Sequence, residues 1–141
     1  MLYFRHMYLF PIEAKASTIE GKGVFALLKI PKGQIVWKFV EGHDKTLSIN
    51  EFNALDEYVK KELLRVAYLS ATTNRYVYPP ENDPANFTNH SKAFNLSAVT
   101  DPTISEEPFF IANRDIEVGE EMTNNYSEFD ETIKTDRPEW I

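Results

Sequence analysis

Short runs of β-branched and aromatic residues, separated by turn residues, dominate the first third of the chain. The runs cover residues 3–12, 24–27 and 35–40, and Pro31 and Gly33 lie between the last two. Proline presets φ at about −65° and glycine permits φ > 0, so this pair favours a tight turn. The pattern predicts short strands joined by tight turns.

The middle of the chain carries one helical pattern. Apolar residues recur every three or four positions, or nearly so, from Phe52 to Ala67, which is the spacing of one face of an α-helix. Ser48 and Glu51 match a capping box, in which each side chain bonds the other residue's backbone amide. The sequence therefore predicts one helix over about residues 49–68.

Short strand patterns return after this helix. They cover residues 75–78, 97–100 and 108–112, and a last one follows the turn at Gly119. A proline-rich loop at 79–84 separates the first of them from the rest and cannot be helical. Because strands and helix do not alternate, we predict a mostly β domain of the α+β class.

Length, composition and charge limit the classes of function. The chain has 141 residues, 43% hydrophobic and 26% charged, which fits a single globular domain over residues 1–141. Its 15 Lys and Arg against 22 Asp and Glu give a net charge of −7. A general nucleic-acid binder needs cations that displace counterions, so that class is excluded, whereas a basic protein partner fits.

The sequence also argues against cysteine chemistry, a membrane span and a signal peptide. The chain has no cysteine, so disulfides, thiolate metal sites and cysteine nucleophiles are ruled out. No apolar run approaches the roughly 18 residues of a membrane span. Arg5, His6 and Pro11 interrupt the apolar start, which therefore does not resemble a signal peptide. We expect a soluble intracellular protein without membrane contacts, in either cytoplasm or nucleus.

Three polar motifs are candidates for chemistry. Residues 21–23, Gly-Lys-Gly, let the backbone approach a ligand closely, although alone they are more typical of a hairpin turn. Residues 86–95 crowd polar side chains that bind polar ligands or satisfy buried backbone groups. Residues 119–126 end in Tyr126, a possible hydrogen-bond donor or general acid, or else a core aromatic.

Other site chemistries find little support. Ser91 lacks the glycine elbow of a nucleophilic serine, and a lone histidine such as His90 is more often structural than catalytic. Glu120 and Glu121 are adjacent on a predicted strand, so they point to opposite faces and make a poor acid–base pair. No second histidine lies at metal-ligand spacing, and no metal site is expected.

In this order, the three motifs resemble those of the SET domain family of lysine methyltransferases. The family's Gly-x-Gly-apolar-Phe-Ala pattern corresponds to residues 21–26, and its Ile-x-x-Gly turn to residues 30–33. Its aromatic, Asn-His-Ser and downstream Asn correspond to Phe87, residues 89–91 and Asn95. Its last motif, Gly-Glu-Glu-apolar-Thr followed by Tyr, ends here at Tyr126.

The resemblance covers about residues 12–130 and leaves 131–141 as a C-terminal tail. It implies a β-clip of small sheets with a knot-like C-terminal segment, in which residues 89–91 lie against the loop near Tyr126. The helix at 49–68 would be the family's variable insert.

The resemblance also implies S-adenosylmethionine as methyl donor and the ε-amine of a protein lysine as acceptor, with no metal. Tyr126 corresponds to the family's catalytic tyrosine, and Tyr68, Phe94 and Asn124 are candidates for the substrate channel. The candidate donor-binding residues are Lys22, Gly23, Val24, Phe25, Phe87, Asn89, His90 and Trp140.

The sequence departs from the family pattern in several places. Lys92 stands where cysteine is common, Phe94 where proline is usual, and Asn124 where an aromatic is common. The cysteine-rich flanking segments are absent, so Trp140 is expected to cover the donor's adenine in their place. These departures leave an alternative open, a non-catalytic SET-fold module that binds a basic peptide or protein partner. The degree of methylation and the oligomeric state stay open as well.

Overall fold

A computed structural model describes residues 8–135, with side chains as far as Ile133. The strands are β1 (Ile12–Ala16), β2 (Lys22–Ala26), β3 (Ile35–Trp37), β4 (Lys45–Ser48), β5 (Tyr68–Leu69), β6 (Arg75–Tyr78), β7 (Asn89–His90), β8 (Leu96–Val99), β9 (Phe109–Ala112) and β10 (Glu121–Asn124). The α-helices are α1 (Ile49–Asn53), α2 (Glu57–Leu63) and α3 (Glu131–Thr135), and 3-10 turns cover Pro84–Phe87 and Tyr126–Glu128. The predicted mostly β, α+β domain is confirmed.

The strands form two small sheets. The larger has seven strands, in the order β1-β2-β10-β8-β9-β3, with β7 also paired to β10. The smaller is antiparallel and has the order β4-β6-β5. β10 runs parallel to β7 and β8 but antiparallel to β2. Parallel strands cannot be joined by a tight hairpin, so the parallel partners of β10 are not its immediate neighbours in sequence. β10 is instead inserted between segments that lie far earlier in the chain.

Alternating strand residues form the core of the larger sheet. In β2, Val24 and Ala26 are fully buried whereas Phe25 between them is only half-buried, as expected where successive side chains point to opposite faces. The other fully buried hydrophobic side chains are Ile30, Val36, Val77, Leu96, Ala112, Ile116 and Met122. Between Tyr8 and Thr135, no helix is long and apolar enough to cross a membrane.

The predicted helix at residues 49–68 is wrong in its continuity, because two short helices lie there instead. Residues 54–56 separate α1 from α2. The Asp56 side chain accepts a hydrogen bond from the backbone nitrogen of Tyr58 at 3.0 Å, so it caps a new helix and does not continue the first. Tyr68, expected at the end of the helix, already belongs to β5.

Only the first of these helices is anchored in the protein. The predicted capping box is confirmed, with Ser48 and Glu51 bonding each other's backbone amides at 2.8 and 3.0 Å. Phe52 is buried and stacks on Tyr76, with 4.0 Å between ring centroids. In α2 no residue is buried, and Val59, predicted to face the core, is 44% exposed.

The sequence predicts one strand, or two short ones, over residues 3–12, of which residues 3–7 lie outside the described part of the chain. From Tyr8 onward the predicted strand is misplaced. Tyr8 makes a single antiparallel bridge with Trp37, and the continuous strand starts only at Ile12. Pro11 lies just before that strand, where the missing amide donor costs little. The sequence pattern also missed β4 and β7, because β4 contains a single apolar residue, Leu47, and β7 is only two residues long.

A buried asparagine holds β10 against the start of β8. Asn95 is 1% exposed, and its Oδ1 accepts from the Thr123 backbone nitrogen at 2.9 Å. Its Nδ2 donates to the Glu121 carbonyl, also at 2.9 Å. The two strands share a single register pair, Asn124 with Leu96. The side chain therefore supplies hydrogen bonds that the short ladder lacks.

Replacing Asn95 by alanine should destabilise the fold strongly. The buried Thr123 amide and the partly buried Glu121 carbonyl would lose their partners. A buried loss costs about 1–3 kcal/mol and the partly buried one about 1 kcal/mol, so we expect a total of about 2–4 kcal/mol in urea unfolding. The matched control is Asn82→Ala in an exposed loop, which should change stability by less than about 0.5 kcal/mol. Equal unfolding midpoints for the two variants would contradict this role of Asn95.

Candidate functional site

The candidate site forms where β2 and β7 flank β10. Asn89 and His90 of β7 lie in parallel register with Thr123 and Asn124 of β10. The contact continues past β7, because the Ser91 backbone nitrogen donates to the Asn124 carbonyl at 3.0 Å. The structure thus places residues 89–91 beside the end of β10, as the sequence predicts.

The Asn89 side chain ties the turn before β2 to β10. Its Nδ2 lies 3.1 Å from the Lys22 carbonyl and 3.2 Å from the Glu20 carbonyl. The same nitrogen lies 2.9 Å from Oε2 of Glu121 and 3.3 Å from Oγ of Ser17. One amide therefore fixes the geometry of the Gly-Lys-Gly turn relative to the strand that precedes Tyr126.

Glu121 is the acceptor at the centre of this network, and the sequence analysis missed it. Its Oε1 accepts from Oγ of Ser17 at 2.7 Å, while Oε2 accepts from Asn89. A Cβ on Gly23 would collide with this carboxylate. A side chain at position 23 would therefore displace the Glu121 carboxylate from its hydrogen bonds. A glycine inside a strand is a signal of such a close approach.

Two candidate donor-binding side chains lie together on the surface beside this network. The Lys22 ammonium lies 5.3 Å from the centroid of the Phe87 ring, which is 38% exposed. Phe25 lies farther along β2 and packs against the ammonium of Lys15 at 4.7 Å. Val24 has a fully buried side chain, so only its backbone can contact a ligand.

Tyr126 is held at three points directly after β10. Its hydroxyl donates to the Thr88 carbonyl at 2.8 Å, and its backbone nitrogen donates to Nδ1 of His90 at 3.2 Å. Its ring centroid lies 5.1 Å from that of His90. Because Nδ1 of His90 is an acceptor, the proton of the neutral imidazole is on Nε2.

Burial controls the ionisation of Tyr126. Removal from water raises the pKa of its hydroxyl to about 12, and the negative charge of Glu20 adds to the shift. The hydroxyl therefore keeps its proton at neutral pH. Since that proton is directed at the Thr88 carbonyl, the phenol oxygen faces any further partner as a hydrogen-bond acceptor.

A chain of aromatic rings leads from Tyr126 towards Tyr68. Phe129 lies between them, edge-on to both, with centroid distances of 6.1 Å to Tyr126 and 5.3 Å to Tyr68. Tyr68 is buried, and its hydroxyl donates to Oε1 of Glu107 at 3.2 Å. Tyr68 is thus one ring removed from Tyr126, and Phe129 is a wall residue that the sequence analysis did not single out.

The remaining candidate site residues differ in their burial and in their contacts. Asn124 is 6% exposed, and its Oδ1 has no hydrogen-bond partner among the described residues. Phe94 is half-buried, and its carbonyl accepts from Nδ2 of Asn113 at 3.0 Å. Within residues 8–135 its ring makes no aromatic contact with Tyr126. Trp140 lies outside the described residues, and its role stays a prediction.

Comparison with known proteins identifies the family. A family model of the SET domain matches residues 21–127, so the chain belongs to the SET domain family. The contacts of Asn89 with Thr123 and of His90 with Tyr126 fall within this match. A comparison with curated proteins gives no match.

Solved structures agree with the fold. A candidate histone methyltransferase of Plasmodium falciparum has a TM-score of 0.57 at 20% identity, over 87% of this chain and 95% of that one. The Neurospora SET domain protein DIM-5, a histone lysine methyltransferase, has a TM-score of 0.58 at 18% identity. The match covers 85% of this chain and 53% of DIM-5. The predicted SET fold is confirmed.

The contact between Gly23 and Glu121 can be tested by a double-mutant cycle. Gly23→Ala should lower the free energy of unfolding by about 1–3 kcal/mol, because the new methyl overpacks against the carboxylate. In a Glu121→Ala background the clash is absent, so the same substitution should cost less, with a coupling of about 1 kcal/mol or more in urea unfolding. Additive effects of the two substitutions would show that the glycine is not required by Glu121.

Proposed function

We propose that the chain transfers a methyl group from S-adenosylmethionine to the ε-amine of a lysine in a protein substrate. The observation that carries this proposal is the convergence of Asn89, His90 and Tyr126 at the end of β10 in a SET domain chain. The names of the two structural relatives, both with histone methyltransferase in their descriptions, support the substrate class.

The residues beside Asn89 fit the chemistry of the donor. S-adenosylmethionine supplies a methyl group on a sulfonium, which an amine attacks in line. The Lys22 ammonium suits the donor's carboxylate, and the exposed face of Phe87 beside it suits a heterocycle or a cation. Asn89 and His90 would hydrogen-bond the donor with main-chain and side-chain groups. Gly23, Val24 and Phe25 would contribute β2 backbone, and Trp140 would cover the adenine.

Tyr126 would orient the acceptor amine. Its proton is directed at the Thr88 carbonyl, so its oxygen can accept from an amine N–H, and its raised pKa keeps it from acting as a base at neutral pH. Holding an amine lone pair in line with the methyl group replaces a search in solution by a fixed geometry, which is a large source of acceleration.

The aromatic wall next to Tyr126 would help to keep the lysine neutral. A protonated amine has no lone pair for attack. Phe129 and the buried Tyr68 provide apolar surface close to Tyr126, and removal from water lowers the pKa of a lysine. Asn124, with its unpartnered buried oxygen, and Phe94 complete the set of proposed channel residues.

The proposed partner is a basic, lysine-bearing protein or peptide. The net charge of −7 favours encounter with a positively charged segment. This attraction is a property of the whole surface and does not identify one target. A proteome-wide methylation assay with labelled donor would identify it.

Replacing Tyr126 by phenylalanine should separate transfer from donor binding. The variant loses the oxygen that orients the amine, so we expect the turnover of labelled methyl to fall about 100-fold or more. Donor affinity measured by calorimetry should change little. The matched control, Tyr58→Phe at a tyrosine that is 71% exposed on α2, should retain full activity.

These measurements also decide between the two functions. Transfer that persists in Tyr126→Phe would mean that Tyr126 is not catalytic. If the unmodified protein neither binds S-adenosylmethionine nor modifies any lysine-rich protein, the methyltransferase proposal is wrong and the non-catalytic peptide-binding module takes its place.

The rate of methyl transfer should rise with pH and should show no decline caused by ionisation of a tyrosine. The rate grows with pH because the neutral form of the substrate lysine is the reactive one. Tyr126 keeps its proton up to a pKa of about 12, so no fall should appear between about pH 9 and 10.5, where an ordinary tyrosine ionises. Initial rates at constant ionic strength test this, with melting temperatures to confirm folding. A decline centred near pH 10 would contradict the assignment.

A further inference from the structure

A histidine and two aspartates lie together away from the candidate site. Nε2 of His43 and Oδ2 of Asp83 are 2.7 Å apart. A carboxylate oxygen of Asp44 completes the set, and all three potential ligand atoms lie within 4.8 Å of one another. His43 and Asp44 end the turn before β4, whereas Asp83 caps the 3-10 turn Pro84–Phe87.

One oxygen of the Asp44 carboxylate is buried without a partner among the described residues. Oδ2 of Asp44 accepts from the Val40 backbone nitrogen, but Oδ1 accepts no hydrogen bond from that part of the chain, although the residue is only 9% exposed. The Asp83 side chain is fully buried. Among the side chains of residues 8–133, no lysine or arginine forms an ion pair with either aspartate, and His43 is the one basic partner in these ion pairs. Two carboxylates withdrawn from water are thus met by a single imidazole.

The carboxylates of Asp44 and Asp83 are both withdrawn from water and lie close together, so their negative charges repel each other. A divalent cation is the partner that would relieve two neighbouring buried carboxylates. Asp44 also lines a surface cavity of about 260 Å³, and the His43 side chain is 19% exposed, so two of the three residues border solvent.

We propose that His43, Asp44 and Asp83 bind a divalent transition-metal ion, with Zn²⁺ the best fit. Zinc takes imidazole nitrogen and carboxylate oxygen at about 2.0–2.2 Å in a tetrahedral arrangement, which places ligand atoms about 3.5 Å apart. To reach that spacing, the His43–Asp83 pair would open from 2.7 Å, and any pair as far apart as 4.8 Å would close. Ca²⁺ and Mg²⁺ prefer sites made of oxygen alone, so the imidazole disfavours them.

Binding would replace the hydrogen bond between His43 and Asp83. Zinc requires the lone pair of Nε2, so the metal-bound ring is the neutral tautomer that carries its single proton on Nδ1, and Nε2 no longer shares a proton with Asp83. The ion would then clip the turn before β4 to the start of the segment that carries Phe87 and Asn89. This role is structural, and it does not depend on whether the chain transfers methyl groups.

Metal titration of the full chain tests the proposal. Protein stripped with a chelator and dialysed is titrated with Zn²⁺ by calorimetry, and with Co²⁺ by visible absorption. We expect one ion per chain in the unmodified protein and in the control Asp101→Asn, which alters an aspartate outside the cluster. Asp44→Asn and His43→Gln should each weaken binding at least tenfold.

Thermal unfolding separates loss of the site from loss of the fold. Without metal, Asp44→Asn should be at least as stable as the unmodified protein, because it removes a buried charge and keeps an acceptor for Val40. Zn²⁺ should raise the melting temperature of the unmodified protein but not of this variant. If Asp44→Asn does not fold, His43→Gln decides. An unmodified protein that takes up no Zn²⁺ or Co²⁺, or a His43→Gln variant that binds as tightly, would overturn the assignment.

Discussion

The insertion of β10 between β2, β7 and β8 is the constraint on which the rest of the structure depends. Its parallel partners contribute only three register pairs, two with β7 and one with β8. Backbone ladders this short cannot hold a strand alone, and side chains supply the missing bonds. Asn95 bonds the backbone of β10 from one side, and Asn89 bonds the Glu121 carboxylate from the other. Two asparagines from one short segment thus position a strand that arrives much later in the chain.

The position of Tyr126 is determined by β10. It follows β10 after a single residue, and its amide and hydroxyl are bonded by His90 and Thr88, which belong to the segment paired with β10. The same contacts that stabilise the fold therefore aim the phenol. Burial keeps the hydroxyl protonated, and the Thr88 carbonyl determines where its proton points. A tyrosine fixed in this way suits orientation of a nucleophile rather than removal of its proton.

A structural feature could be predicted from the sequence where its signal lies in neighbouring residues or in a known family pattern. The motif order predicted the SET fold and the meeting of residues 89–91 with Tyr126, because the family pattern encodes a long-range contact that periodicity cannot. The capping box at Ser48 is a local signal, and its prediction is confirmed. The break between the two helices at Asp56 does not show in the spacing of apolar residues, which was the basis of the helix prediction. The partners Gly23 with Glu121, and His43 with Asp83 across 40 positions, meet only in the folded chain and carry no shared sequence signal.

The segment from Asp83 to Ser91 connects the cluster of His43, Asp44 and Asp83 to the candidate site, and it is fixed at both ends. His43 bonds it at Asp83, and β10 bonds it at Asn89 through Ser91. Between these ends lie Phe87 and the Thr88 carbonyl that receives the Tyr126 proton. A segment anchored at two points has little freedom to move its middle. The His43–Asp83 contact, remote from Tyr126 in the chain, therefore contributes to the rigidity of the carbonyl that orients the phenol, whether a proton or a metal ion joins the two side chains.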